Sequence, residues 1–578
     1  MAASNATASA EAPLVAMLVP AAAFAAVTCV WALATRRAVL SSLGHVPGPP
    51  YSFILGTRAS WRELRDEQHE LLRRVHTVYG HVAKLVLPFG AGVLVLCSRR
   101  AAAEPQLLAD HRAFARRAPG VDLPLSLGAR ALDARWRACR AALVLALSPA
   151  ALCAHYPAFS AHAAHLRRRL ARAIAPPAAG GGAARDDPGR AREQRGACNA
   201  EAEVEVSAPI KAVVLVSLAQ LTLGASAVER TELAELARAV DGVVLGASRS
   251  RWLPAAIVRL LDGLPASARP RYRLDAARGL DALARLTGEA YDAALERDGA
   301  IGARERGGLG RGGSGGGGLA KGGLAGAGSD ADGVPREAVA AMDSAARAQA
   351  DVREPRAVID ELARARVPRD TAGQIAAEAL SHGHAAIAHA LCSALHLLAS
   401  HPHEQKAVCA ELREVCGGAL RQPTLDELRG LRLLRGTWLE ALRLCPPIAA
   451  TCRVAARDAH VDGVHLPRGT RVLYSIASAA RDERVFGPDV ERFRPERHLD
   501  DATPLLGSDG GSWLPFGAGV RRCAGIRLAE QLGLSLLAAV IVGFELVPPD
   551  RADELPAAGT ANGALCPASA QHVRLRAR

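Results

Sequence analysis

Apolar residues recur at three- and four-residue spacing over most of the chain. That period predicts helices at 131–147, 205–223, 228–246, 272–296, 371–399, 404–415, 426–445 and 526–541. Strand-like runs are fewer. Val82 to Leu87 and Gly92 to Cys97 read as a hairpin around Pro88-Phe89-Gly90-Ala91, and Val461 to Ile476 holds two more short runs broken by Pro467 and Gly469. The expected fold is mainly α with a minor β-sheet. The pattern changes at the N-terminus. Pro13 to Ala34 is almost continuously apolar, long enough to cross a hydrocarbon core of ~30 Å. Arg36 and Arg37 follow it, which favours keeping the rest on the cytoplasmic side. No small-residue cleavage site ends the run, so an uncleaved anchor is preferred to a signal peptide. His45-Val46-Pro47-Gly48-Pro49-Pro50 then reads as a stiff elbow, because proline fixes φ and cannot continue a helix. The expected organisation is a tail at 1–12, a transmembrane signal anchor at 13–35, a Pro-rich hinge at 36–50 and one catalytic domain at 51–578. Two Gly-rich, aromatic-free stretches, at about 176–199 and 299–353, interrupt that domain as expected flexible insertions.

Composition adds limits. Half of the 578 residues are hydrophobic and only 4 % aromatic, so a large core must be built from Ala, Leu and Val. That excludes a wholly disordered chain. Twelve Cys, none in a C-x-x-C pair, are too dilute for a disulfide scaffold. The formal charge of +13 is scattered Arg without aromatic interleaving, so no nucleic-acid partner is expected. His382, His384, His389, His396, His401 and His403 lack metal-ligand spacing. No phosphate-binding loop or dinucleotide fingerprint is present, so any electrons must come from a separate protein.

The sharpest chemistry lies at Pro515-Phe516-Gly517-Ala518-Gly519-Val520-Arg521-Arg522-Cys523-Ala524-Gly525. This Gly-rich loop presents one Cys just before a predicted helix, where the helix dipole and free N–H groups favour a thiolate. Gly517, Gly519 and Gly525 let backbone approach the sulfur, and Arg521 adds a cation for a ligand's carboxylate. A nucleophile would need a partner base, and none lies nearby in sequence. A thiolate ligand to haem iron fits better.

These residues resemble the haem-thiolate signature F-x-x-G-x-R-x-C-x-G of the cytochrome P450 family, met by Phe516, Gly519, Arg521, Cys523 and Gly525. Pro88-Phe89-Gly90-Ala91-Gly92 repeats its opening letters, but Leu94 and Leu96 stand where Arg and Cys belong. Other signatures follow in order. Glu440-Ala441-Leu442-Arg443 resembles the family's E-x-x-R, and Phe493-Arg494-Pro495-Glu496-Arg497 its P-E-R segment. The resemblance implies that Glu440, Arg443 and Arg497 form a buried cluster supporting the haem side of the core. It also implies that Trp136 and Arg140, matching W-x-x-x-R, and Arg453 reach haem propionates. The implied fold buries the haem between I-type and L-type helices, in a eukaryotic membrane-anchored member of the family. The implied cofactor is haem b, iron-protoporphyrin IX, with Cys523 as axial ligand to the iron. NADPH electrons would arrive through an NADPH–cytochrome reductase at the endoplasmic reticulum membrane, with one span and a cytoplasmic catalytic domain.

One departure stands out. The helix at 371–399 should carry A-G-x-[DE]-T, and the best register reads His382-Gly383-His384-Ala385-Ala386. Ala385 replaces the acid and Ala386 the Thr that guide protons to dioxygen in the family, and alanine can neither donate nor accept a hydrogen bond through its side chain. Three readings stay open. Protons come through water, substrate, or a group such as Ser381, His382 or His384. Alternatively, the protein rearranges a peroxide as an isomerase or dehydratase. In the third, it binds haem without turnover. The first implies oxidation of a lipophilic small molecule, with sterols, retinoids and other isoprenoids or lipids as the suggested class. The candidate substrate-facing positions are Ala386, the 446–451 turn and the loop near 113–128.

Overall fold

The computed structural model describes residues 37–52, 56–57, 68–87, 93–97, 134–174, 201–250, 267–308, 355–499, 513–547, 558–561, 564–567 and 572–578, with isolated positions between them. The helices used below are α1 (Gln68–Tyr79), α2 (Ala134–Ala146), α3 (Pro149–Ile174), α4 (Ser207–Leu223), α5 (Leu233–Ser250), α6 (Arg271–Gly308), α7 (Arg369–Ser400), α8 (Pro402–Val415), α9 (Arg432–Leu444) and α10 (Ile526–Gly543). The strands are β1 (Val82–Val86), β2 (Val93–Cys97), β3 (Glu201–Glu205), β4 (Ala450–Val454), β5 (Arg471–Ser475), β6 (Phe544–Val547) and β7 (His572–Ala577).

Helix α7 is the axis of the fold. From Thr371 to Ala399 it buries residues on nearly every side, the mark of a helix surrounded by others. Helices α4, α6, α9 and α10 pack against it. Small residues permit the closest approaches. A Cβ on Gly383 would lie 3.1 Å from Leu218 Cδ1 of α4, and one on Gly533 of α10 would lie 2.4 Å from Trp438 Cη2 of α9. Helix α10 is long and apolar enough to cross a membrane, but 67 % of that stretch is buried inside the fold, so it serves as core.

The sheet flanks this helical body. Its order is β1-β2-β5-β4. Strands β1 and β2 form the expected hairpin, with Val82 opposite Cys97. Strand β5 joins β2 in parallel, Leu94 opposite Arg471, and β4 closes the edge antiparallel to β5. A second sheet, β6-β7-β3, ties the chain's end back to the strand before α4.

Several expectations change. Helix α3 occupies 149–174, where no helix was predicted. Its buried stripe of Leu152, Tyr156, Phe159, Ala163, Leu166, Leu170 and Ile174 has helical spacing, but Pro157 sits inside it. Tertiary burial outweighs that proline. Helix α6 runs on to Gly308, past Gly299, because Ala303, Arg304, Glu305 and Arg306 are good helix formers. The stretch expected as a flexible insertion therefore begins as helix. Residues 37–50, the expected stiff elbow, pack against the sheet. Leu43 and Val46 are 0 % and 1 % exposed in the core beside β1, and Lys84 Nζ donates to the Leu43 carbonyl at 2.9 Å. The Lys84 N–H donates to Pro47 O at 2.7 Å. Residues 1–33, 176–199 and 309–353, the 88–92 turn, and the 113–128 loop apart from Phe114 lie outside the described residues.

Candidate functional site

The Cys523 loop is shaped by its own backbone. Gly517 and Gly519 have φ of 72° and 67°, a region that favours glycine, so both turns are built where the motif places them. The Gly517 N–H donates to Leu514 O at 3.1 Å and the Cys523 N–H to Phe516 O at 2.9 Å, folding the loop back on its entry strand. A Cβ on Gly525 would lie 4.0 Å from Cys523 Sγ. Helix α10 starts at the next residue, Ile526. Cys523 is itself exposed, just before a helix that is 67 % buried in the fold.

Cations gather around this loop. Arg140 Nη2, on α2, donates to Arg522 O at 2.6 Å. The Arg521 guanidinium lies 5.5 Å from the centre of the Trp136 ring, also on α2. The i,i+4 pair predicted on one helix face therefore meets the Cys-bearing loop directly. Arg453 on β4 is 2 % exposed, and its Nη1 donates to Thr451 Oγ1 at 3.1 Å and Cys452 O at 2.9 Å. This donor set fits a haem: one soft sulfur, presented by a glycine-rich turn, and guanidinium groups suited to carboxylates. Cys523 would hold the iron, and Trp136, Arg140, Arg453 and Arg521 are the candidates for its propionates.

Behind the loop, Glu440 and Arg443 are both completely buried on α9. Arg443 grips both carboxylate oxygens, Nε to Oε2 at 2.8 Å and Nη2 to Oε1 at 2.7 Å. Arg497 Nε donates to Oε1 at 2.8 Å, and the Arg494 backbone N–H adds a bond at 3.0 Å. Arg443 also donates to the carbonyls of Ala480, Val490 and Arg492. Burial alone would raise the Glu440 pKa, but hydrogen bonds from Arg443 and His498 hold it down at about 2. His498 is a member of this cluster that the motif reading did not include. Its Nε2 donates to Glu440 Oε2 at 2.8 Å. Its position directly after Arg497 was the available signal, but a sequence does not say where a ring points.

Helix α7 places the replaced pair in the middle of the fold. Ala385 is buried and Ala386 is half-buried. The three candidate proton carriers each have other contacts. Ser381 Oγ donates to Ala377 O at 2.8 Å within its own helix. His384 Nε2 donates to Lys211 O of α4 at 3.1 Å, and burial lowers the His384 pKa. His382 is exposed, 3.8 Å from Glu378 Oε1. One turn beyond Ala386, His389 is 2 % exposed with Nε2 3.4 Å from Ser393 Oγ, and burial lowers its pKa to about 4. Among the described residues, no cluster of three or more His, Cys, Asp or Glu is arranged to hold a metal ion.

The family model for cytochrome P450 matches residues 340–573, which contain Glu440, Arg443, Arg497 and Cys523. Cyclooctat-9-en-7-ol 5-monooxygenase of Streptomyces melanosporofaciens is 38 % identical over 158 residues, 27 % of this chain and 33 % of that protein. Cytochrome P450 71A23 of Arabidopsis thaliana is 35 % identical over 149 residues, 26 % of this chain and 30 % of that protein. Cytochrome P450 4V2 of Mus musculus is 33 % identical over 177 residues, 31 % of this chain and 33 % of that protein. The similar stretches thus span about a third of the length of these curated relatives. The signature loop before α10, the buried Glu-Arg-Arg cluster and helix α7 all lie within the stretch, less than half of the chain, that is similar to the cytochrome P450 family.

Proposed function

We propose that this protein is a haem-thiolate monooxygenase that oxidises a lipophilic small molecule with dioxygen and electrons from NADPH. The observation that carries this reading is the placement of Cys523. It sits exposed at the mouth of α10 on a loop whose two turns are set by Gly517 and Gly519. The Streptomyces relative, named as a 5-monooxygenase of cyclooctat-9-en-7-ol, supports the same reaction class.

When bound, haem b supplies oxidising chemistry at its iron. The chain's own residues do the rest. Cys523 holds the iron by a thiolate, and the backbone bonds at Phe516 and Leu514 keep the loop closed around it. Arg140, Arg453 and Arg521 offset propionate charge. The buried sides of α7 and the 446–451 turn keep water from the reacting face and favour an apolar substrate. A sterol, retinoid or other isoprenoid is the proposed class, and a single-span anchor at 13–35 in the endoplasmic reticulum membrane would deliver it from the bilayer. Electrons come from a separate NADPH–cytochrome reductase, for which Arg521 and Arg522 form a cationic approach. Charge reversal at Arg522 should slow reduction and flatten its salt dependence. An unchanged rate and salt slope would remove that docking face.

A second reading has its own observation. Ala385 and Ala386 supply no proton, while Ser381 and His384 already bond to carbonyls of α7 and α4. This suits an isomerase or dehydratase acting on a peroxide substrate. The reduced carbon-monoxide spectrum tests ligation: a Soret band at the haem-thiolate position is expected, and its loss in Cys523→Ser. Turnover with reductase and dioxygen, compared with turnover on a hydroperoxide alone, separates the two activities. A folded, haem-loaded protein inert in both assays would leave haem binding without catalysis.

A further inference from the structure

Glu440 is held by more than the two arginines of its motif. The segment Pro495–His498 is a single 3-10 turn, so Arg497 and His498 leave it side by side. They reach different oxygens of the same carboxylate, Arg497 at Oε1 and His498 at Oε2, each at 2.8 Å. The His498 side chain is 1 % exposed. The ring meets Glu440 through Nε2–H, and its Nδ1 is buried without a hydrogen-bond partner. One edge of the ring is therefore committed to the charge cluster.

The ring also faces the Cys523 loop. Its centroid lies 6.3 Å from that of Trp513, with the planes tilted by 40°. Trp513 is completely buried and opens the segment that carries Leu514, Phe516 and Cys523. Its other ring neighbour, Phe486, stands edge-on at 6.3 Å and itself lies 5.0 Å below the Arg443 guanidinium. Two routes thus connect Glu440 to Trp513. His498 touches both ends directly, while the second passes through Arg443 and Phe486.

We infer that His498 is a positioning residue that couples the buried Glu440 cluster to Trp513 and so fixes the entry to the Cys523 loop. The coupling stands on geometry alone; only its consequence for haem rests on the reading of Cys523 as the iron's ligand. His498 uses two properties at once, a hydrogen-bond donor toward Glu440 and an aromatic face toward Trp513. His498→Gln keeps a donor and loses the ring. His498→Phe keeps the ring and loses the donor. Trp513→Leu removes the contact from the loop side and leaves every hydrogen bond to Glu440 in place.

The test is amide hydrogen exchange on the full chain as purified, read at the Gly517 and Cys523 amides, which donate to Leu514 and Phe516. We expect exchange about tenfold faster at both amides in H498Q and in W513L, with α9 and the body of α10 as protected as before. The double variant should exchange no faster than W513L alone, because the link that His498 makes ends on Trp513. Loop exchange unchanged in H498Q or W513L would overturn the inference, and so would additive effects in the double variant. Should H498Q unfold as a whole, W513L and H498F decide the matter alone, with the same two amides as the readout. In samples that bind haem, the variants should also show a smaller thiolate fraction in the reduced carbon-monoxide spectrum. Absence of any haem-thiolate band in the parent protein would instead count against the proposed function, and the exchange result would stand by itself.

Discussion

Glu440 is a fully buried carboxylate whose stability depends on its neighbours keeping their donors. Removing one partner of such a pair leaves an uncompensated charge, a loss of about 3–5 kcal/mol. Arg443→Ala should therefore destabilise the protein more than Glu440→Gln, because Gln keeps one acceptor for Arg443 and Arg497. Urea midpoints of the two variants check the order. The pH sign follows from Glu440's folded value of about 2 against an ordinary 4.5. A depressed carboxylate contributes stability above its unfolded pKa and loses it as pH falls from about 4.5 toward 2. In the sequence, E-x-x-R and P-E-R were enough to name Glu440, Arg443 and Arg497. His498 escaped because a motif names positions, whereas the approach of a second donor to Oε2 depends on a 3-10 turn that only the fold displays. Gly533 was equally silent. Its lack of a side chain matters only because Trp438 passes where a Cβ would stand. Gly533→Ala should lower the melting temperature by an overpacking strain of about 1–3 kcal/mol.

Among the elements, α7 and α3 show the two ways in which pattern and fold part company. The period in 371–399 predicted α7 within a residue or two at each end, since both its core faces are apolar. Helix α3 carries an equally regular stripe, yet Pro157 and the Arg167–Arg169 run hid it. Packing against α4 and α10 decides there, and no local rule contains that term. The chemistry of α7 can be restored one residue at a time. Ala385→Asp with Ala386→Thr returns an acid to a buried position and a hydroxyl to the half-buried one beside it. If the protein activates dioxygen, product formed per NADPH consumed should rise severalfold. If it rearranges a peroxide, hydroperoxide turnover should stay level or fall. A paired measurement of NADPH consumption and product yield tells these outcomes apart.

Over the whole molecule, buried histidines set the response to acid. His76 and His389 are both pushed down to about 4 by burial, and burial also lowers His155, His162, His384 and His498. Burial disfavours the charged form of each in the fold, whereas each can charge freely once unfolded. The unfolded chain then binds more protons, so stability falls as pH drops below about 6.5. His76 and His389 each account for about 3 kcal/mol by pH 4. Thermal unfolding followed between pH 7 and pH 4 should show a steady decline, and His389→Gln should flatten part of it. The mainly helical class and the order of the family signatures were legible in the sequence. The route by which Lys84 binds 43–47 to β1 was not, because Leu43 and Val46 are too few to show a period among so many prolines.

That clasp has a practical meaning for where the body of the protein starts. Leu40, Leu43 and Val46 are all interior, so residues 40–46 pack as part of the described body. A soluble version beginning near residue 37 should keep the native melting temperature. One beginning at Tyr51 would uncover Lys84, whose ammonium then loses its carbonyl partners at Leu43 and Gly44. The same clasp fastens the chain to the body only a few residues after Arg37. A membrane segment placed there would act on the domain as a fixed handle, setting its tilt against the bilayer, rather than as a loose leash.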